Sequence, residues 1–160
     1  MLIWPKYIVS WICGLISSDG SIVNYYHKPT DCHIRKIEII CTAYINWAKQ
    51  VQKNLREYVI GTSIDGPYKN KPTKSFRPNP KSPGSYHLRL NHYYPKHSHG
   101  TDQYQVLRNN VEYWGLQKLL VDRKYEKLCE FTKPMPITEE AKIQQLLYTH
   151  DELREIIGAM

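Results

Sequence analysis

The sequence predicts an α+β fold of order αββαββα, a four-stranded antiparallel sheet with helices packed on one face. Three observations lead there. Apolar residues recur at helical spacing near positions 5–18, 47–58, 103–114 and 116–131. Between those segments lie runs of β-formers that alternate with polar residues at period two, each pair joined by turn residues, as in antiparallel hairpins. The strand faces turned away from the helices read as polar, aromatic and basic, as expected of a sheet with one wet side.

Trp4-Pro5 opens the first helix, because proline is tolerated in a first turn. The helix runs to about Ser18, with Ile8, Trp11, Ile12, Leu15 and Ile16 as its apolar stripe. Gly20 is the expected helix-ending residue, because it adopts a positive φ without penalty. Ser21 to Lys28 reads as a strand and Pro29-Thr30-Asp31 as a turn. His33 to Ala43 returns, with Ile37, Ile39 and Cys41 on one face and Lys36, Glu38, Ile40 and Thr42 on the other. The second helix spans Trp47–Tyr58, with Trp47, Val51, Leu55 and Tyr58 apolar and Gly61 ending it. Thr62 to Asp65 is a short strand.

Residues 59 to 101 then carry Asp65 as their only acid, against Lys69, Lys71, Lys74, Arg77, Lys81, Arg89, Lys96 and four histidines. Six prolines in the same stretch exclude a helix and favour an extended, polyproline-like arm. Within it, Ser85 to Tyr93 reads as a strand, Leu88 and Leu90 inward, His87, Arg89 and Asn91 outward. Asp102 caps a helix over Gln103–Trp114, which Gly115 breaks. Leu116 to Phe131 reads as one amphipathic helix. After the Lys133–Pro136 linker, Thr138 caps a helix to about Tyr148, and Thr149 starts a last helical turn through Ile157.

A chain of 160 residues forms one domain, its core at about 4–131 and a helical extension at about 137–157. Its 22 Lys and Arg against 15 Asp and Glu give a formal charge of +7, which points to a polyanionic partner. Thirteen Tyr and four Trp against two Phe favour wet interfaces, since polar-tipped rings suit sugars, phosphates and bases. Cys13, Cys32, Cys41 and Cys129 form no CxxC pair, so a zinc ribbon is not expected. Cys13 and Cys41 fall in apolar patterns and read as buried thiols of a reducing, intracellular setting. No leader pattern opens the chain and no apolar run reaches the length of a membrane span.

Residues 10–21 stand out. Ser10, Cys13, Gly14 and Ser17 form a second helical stripe of small residues, the kind that lets two helix backbones approach closely. Asp19 ends the helix at its C-terminus, the wrong pole of the dipole for an anion, so a cation, such as a metal ion, is wanted beside it. Ile12-Cys13-Gly14-Leu15-Ile16-Ser17-Ser18-Asp19-Gly20 resembles the nine-residue motif of the LAGLIDADG homing endonucleases. Six positions agree in type: Ile12, Gly14, Leu15, Ile16, Asp19 and Gly20. Ser17 replaces the first acid of the motif, and the second, metal-binding acid is present as Asp19. The element order from about Trp4 to Phe131 is also the one that family uses.

The resemblance implies a site-specific, intron-encoded endonuclease that makes a metal-dependent double-strand cut in DNA. One motif per chain implies a homodimer, joined through Ser10, Cys13, Gly14 and Ser17, that sets two Asp19 carboxylates across a twofold axis. Each Asp19, with the Ser18 backbone carbonyl of the other protomer, would bind a divalent cation, and hard oxygen ligands suit Mg²⁺. The family's basic residue near the site is matched by Arg123 or Lys124, with Lys118 behind them, and its polar residue at the end of the second strand by Thr42. The wet strand faces supply Ser21, Val23, Tyr25, His27, Lys36, Glu38, His87, Arg89 and Asn91 for base readout, while Lys69, Lys71, Lys74, Arg77 and Lys81 clamp phosphates. A reach of ~35 Å per protomer corresponds to roughly ten base pairs, so the dimer would cover a long pseudo-palindromic site. The compartment expected is a prokaryotic cytoplasm or nucleoid, or an organelle. The alternatives are an intron RNA maturase or a cleavage-inactive DNA-binding protein on the same fold. A third is a histidine–metal nuclease using His92, His97 and His99.

Overall fold

The structure, a computed structural model, describes residues 1–95 and 99–147, the last four by backbone alone. Lys96 and His97 of the basic stretch, and the closing helix expected through Ile157, lie outside the described residues. The elements are α1 (Lys6–Ser18), β1 (Ser21–His27), β2 (Cys32–Thr42), α2 (Ile45–Arg56), β3 (Thr62–Tyr68), β4 (Ser85–Leu90), β5 (Tyr93–Tyr94), β6 (Thr101–Asp102), α3 (Gln103–Tyr113), α4 (Lys124–Glu130) and α5 (Glu139–Leu147). The class is mixed α+β. Strands β1 to β4 form one antiparallel sheet in the order β1-β2-β4-β3, and β5 pairs with β6. Among the described residues no helix is long and apolar enough to cross a membrane.

One buried cluster decides which face of the sheet stays wet. Ile12 and Ile16 of α1, Val51 and Leu55 of α2, Leu107 and Val111 of α3 and Leu128 of α4 meet Ile22, Ile37, Ile39, Ile40, Leu88 and Leu90 of the sheet. Burying each such side chain is worth about 1.5–3 kcal/mol, so no other orientation of the strands competes.

Buried amides pin the connections. Asn110 of α3, fully buried, accepts the Trp4 N–H at 2.7 Å and donates to the Leu2 carbonyl at 3.0 Å and the Val106 carbonyl at 2.8 Å. The N-terminal segment is thereby tied to α3. Gln103 accepts the Gly61 N–H at 2.9 Å and donates to the carbonyls of Gly61 and Asn91, both at 2.8 Å, locking the ends of β3 and β4 to α3. The expected caps hold: the Gln105 N–H donates to Asp102 at 3.2 Å and the Ala141 N–H to Thr138 at 3.1 Å.

Tertiary contacts redraw several expected elements. In β2 the pairing shifts between Glu38 and Ile40, a bulge that resets the alternation. Ile39 and Ile40 are therefore both buried, and Cys41 is exposed, not the buried thiol expected. Helix α2 starts at Ile45 and buries Ala48, Val51 and Leu55, which leaves Trp47, expected in the core, 43% exposed. Residues 116–131 are not one helix: a 3-10 turn at Gln117–Leu119 and α4 are separated by Asp122 and Arg123, with left-handed φ of 55° and 64°. Left-handed backbone costs about 1–2 kcal/mol per residue. Contacts made from this turn to the end of α1, described below, offset it.

Strand β3 continues to Tyr68, and β4 stops at Leu90 rather than Tyr93. Between them, residues 69–84 contain no helix or strand and fold back on themselves instead of extending as an arm. Gly20 does not take the expected positive φ; its reason is space. A Cβ there would stand 2.2 Å from the Glu38 carbonyl oxygen, 2.6 Å from that of Ile39 and 2.7 Å from Ile16 Cα.

Candidate nucleic-acid interface and metal site

Asp19 is the C-cap of α1, where its N–H bonds the Leu15 carbonyl at 2.9 Å. Its own carbonyl accepts the Cys41 N–H at 3.1 Å, directly after the β2 bulge. This bond and the tight Gly20 contact fix the end of α1 against β2. The Asp19 side chain is exposed.

The cation that the helix end calls for is Lys124. Its Nζ donates to the Ile16 carbonyl at 2.7 Å and the Ser17 carbonyl at 3.0 Å, the last turn of α1. The alternatives differ. Arg123 pairs with Glu126 of its own helix at 3.0 Å, and Lys118 is exposed. Ser17 belongs to the same junction, since its hydroxyl donates to the Leu119 carbonyl and accepts the Val121 N–H at 3.3 Å. Thr42 lies beyond the bulge, paired with Tyr86, and its hydroxyl accepts the Tyr44 N–H at 3.1 Å. It braces the turn into α2 and does not share the outward alternation of Lys36 and Glu38, as the sequence pattern implied.

One chain offers a cation Asp19, the Ser18 carbonyl and little else. No group of three His, Cys, Asp or Glu side chains gathers at one point among the described residues. A hard dication takes six or more oxygens, so this donor set fits Mg²⁺ as a partial site that needs further oxygens from a second copy or a phosphate.

The wet face has a polar network at its centre. Glu38 on β2 accepts from His87 Nδ1 at 3.1 Å, from Arg89 Nε at 3.2 Å and from the Ser21 hydroxyl at 3.3 Å. Arg89 also donates to Asp65 at 2.5 Å. Partial burial pushes the Glu38 carboxyl up, but the His87 and Arg89 hydrogen bonds and charges outweigh this and hold it below the usual carboxylate range. Because the Glu38 oxygen only accepts, His87 Nδ1 is the donor of this bond, while Nε2 faces the Ser85 hydroxyl at 3.3 Å and the Cys41 thiol at 3.8 Å. Arg89, expected as a free guanine reader, is thus engaged by two carboxylates. Asn91 is engaged as well, accepting from the Ser63 hydroxyl at 2.6 Å.

The other expected contacts are distributed along the same face. Ser21 pairs with Glu38, Val23 with Lys36, Tyr25 with Ile34 and His27 with Cys32 across the β1–β2 ladder. Tyr25 is exposed, and His27 contacts the Thr30 hydroxyl at 2.7 Å. Lys69, Lys71, Lys74, Arg77 and Lys81 are all exposed on the β3–β4 loop. Asp65, Ser63 and Ser85 join the face without having been singled out. The alternation of Ser63, Ile64 and Asp65 in a strand pairing with β4 was the signal that places them. His92 is stacked against Tyr93 and Tyr104 at 4.2 and 4.3 Å, beside Asp102 at 3.3 Å, so it serves the β5–β6 corner.

The small-residue stripe is divided. Cys13 is fully buried in the core, and burial pushes its thiol up to about 12, so it is not a surface contact as expected. Ser10 is half-buried, and Ser17 is bound to the turn before α4. Gly14 is exposed, and a Cβ added there would have nothing within 4 Å. Comparison with protein-family models, with curated proteins and with solved structures gives no match.

Proposed function

We propose that the protein is a homing endonuclease of the LAGLIDADG type, acting as a homodimer on a long pseudo-palindromic DNA site with Mg²⁺. The observation that carries the reading is the end of α1. There an exposed carboxylate, Asp19, follows a helix whose last carbonyls are held by Lys124, beside the wet face of a four-stranded antiparallel sheet. Gly14 adds support. A glycine in an exposed helix interior costs about 1 kcal/mol relative to alanine, and no other element among the described residues uses its space. A second α1 crossing there would use it.

In this reading, two Asp19 carboxylates with Ser18 carbonyls would hold the cation, which would lower the pKa of a bound water and stabilise charge on the leaving oxygen. Lys124 orients the carbonyls of the last turn and holds positive charge near the phosphates. The exposed cations of the β3–β4 loop take up flanking phosphates, and Tyr25, Lys36 and His27 contact bases from the sheet.

The test is incubation of the purified protein with Mg²⁺ and the host gene lacking its intron. Expected is a discrete double-strand cut, abolished in Asp19→Asn. Absence of cutting, with tight binding of the intron RNA, would replace this reading by that of an RNA maturase. One observation favours that second reading: the carboxylates of Glu38 and Asp65 occupy Arg89, which leaves phosphate contacts to dominate over base readout.

A further inference from the structure

Where β3 and β4 diverge, at the Tyr68–Ser85 pair, the folded loop borders a half-open pocket of about 320 Å³. We propose that this pocket binds a single unpaired nucleotide, its base stacked on the Tyr68 and Phe76 rings and its phosphate on Lys69. The inference rests on the reading of the sheet as a nucleic-acid interface and names a second site on it, apart from Asp19.

The loop is shaped before any ligand arrives. Thr73 and Phe76 exchange backbone hydrogen bonds at 2.8 and 3.4 Å, a tight turn that presents the Phe76 ring. Asn79 accepts the Lys81 N–H on its side chain at 2.9 Å and the Ser82 N–H on its carbonyl at 3.0 Å, which sets its amide on the cavity wall. Gly84 closes the loop with φ +84°, and a Cβ there would lie 2.7 Å from the Tyr68 carbonyl oxygen.

The lining matches a nucleotide part by part. Tyr68, whose ring meets His87 edge-on at 5.2 Å, is 49% exposed and Phe76 47%, two rings outside the core. Unstacked bases bind such rings whatever their identity. Asn70 carries the paired donor and acceptor that base edges require, and Asn79, its oxygen held by the Lys81 N–H, adds its NH₂ donor. All five charged residues from 69 to 84 are cations, and Lys69 stands in the pocket wall, which favours an anionic ligand over a neutral or basic one. The volume sits at the small end of ligand sites, too small for a duplex. A base inside a duplex has its faces covered by stacked neighbours and its edge by its pairing partner, so the occupant is an unpaired one.

The test titrates the full-length protein by calorimetry with nucleoside 5′-monophosphates, free nucleosides and inorganic phosphate. Monophosphates should bind tightest. Phe76→Ala should weaken them about ten-fold, the size of a lost stacking contact. Lys69→Ala should weaken monophosphates and leave nucleosides unchanged. A duplex with a one-nucleotide bulge should bind better than the same duplex without it, and Phe76→Ala should remove only that preference. Monophosphates binding no tighter than inorganic phosphate, or indifference to Phe76→Ala, would overturn the proposal. Both variants are on the exposed loop, and Asp19→Asn should leave nucleotide binding intact. Failure of DNA cleavage alone would therefore count against the endonuclease reading and not against this pocket.

Discussion

Alanine at Gly20, just past the end of α1, is expected to destabilise the protein, and alanine at Gly14, within α1, to stabilise the monomer. At Gly20 the added methyl would meet three backbone atoms, the carbonyl oxygens of Glu38 and Ile39 and Ile16 Cα, at 2.2, 2.6 and 2.7 Å. None of these can rotate aside. Either the end of α1 or the β2 bulge must move, and overpacking of this kind costs about 1–3 kcal/mol. At Gly14 an added Cβ would meet nothing from the other described elements within 4 Å, so alanine brings only its better helix propensity, about 1 kcal/mol. In a domain of this size, 1 kcal/mol shifts Tm by about 2–4 °C. Thermal unfolding at low protein concentration should therefore fall by about 2–12 °C for Gly20→Ala and rise by about 2–4 °C for Gly14→Ala. If α1 is the subunit contact, the same Gly14→Ala methyl holds the two helices apart. Sedimentation should then report a weakened dimer and cleavage should drop. Gly20→Ala melting at or above the parent would refute the close approach. Gly14→Ala that dimerises and cuts like the parent would refute the helix contact.

Glu38→Gln should lower stability near neutral pH by about 1–2 kcal/mol, since a charged acceptor of three hydrogen bonds is lost. The Glu38 carboxyl is held below its ordinary range in the fold, so its contribution is present above that range and lost as pH falls through the folded value. Urea titrations should accordingly show the gap between variant and parent closing in acid, and a gap independent of pH would contradict the pairing. Asn110→Ala leaves the Trp4 N–H and Leu2 carbonyl without partners and should cost about 2 kcal/mol or more in chemical denaturation. Lys124→Met keeps the stem and removes the cation from the end of α1. Stability should drop by about 1 kcal/mol and cleavage should fall, whereas Arg123→Met should change little; the reverse ranking would assign the junction to Arg123.

Much of the scaffold was legible in the chain because it rests on local chemistry. Pro5, Asp102 and Thr138 start helices, and Leu88 and Leu90 alternate with His87 and Arg89. Such signals act within a few residues, where sequence spacing and spatial distance coincide. Asp19 was legible for the same reason, as an acid at the wrong pole of an apolar helix. The bulge in β2 was not, because it arises from fitting β2 against both β1 and β4. With it, Ile40, Cys41 and Thr42 changed faces.

The sequence by itself determined the class of the fold, the helix that ends on Asp19 and the basic character of the β3–β4 loop. Tertiary structure alone decided which small residues of α1 remain at the surface, burying Cys13, engaging Ser17 and leaving Gly14 open. It also chose Lys124 over Arg123, through two left-handed residues that turn the chain across the end of α1. And it set Glu38 and Asp65 around Arg89, from strands far apart in the chain. The physical reason is common to all three. Each depends on which groups meet across elements more than twenty residues apart in sequence, and hydrophobic periodicity carries no information about that.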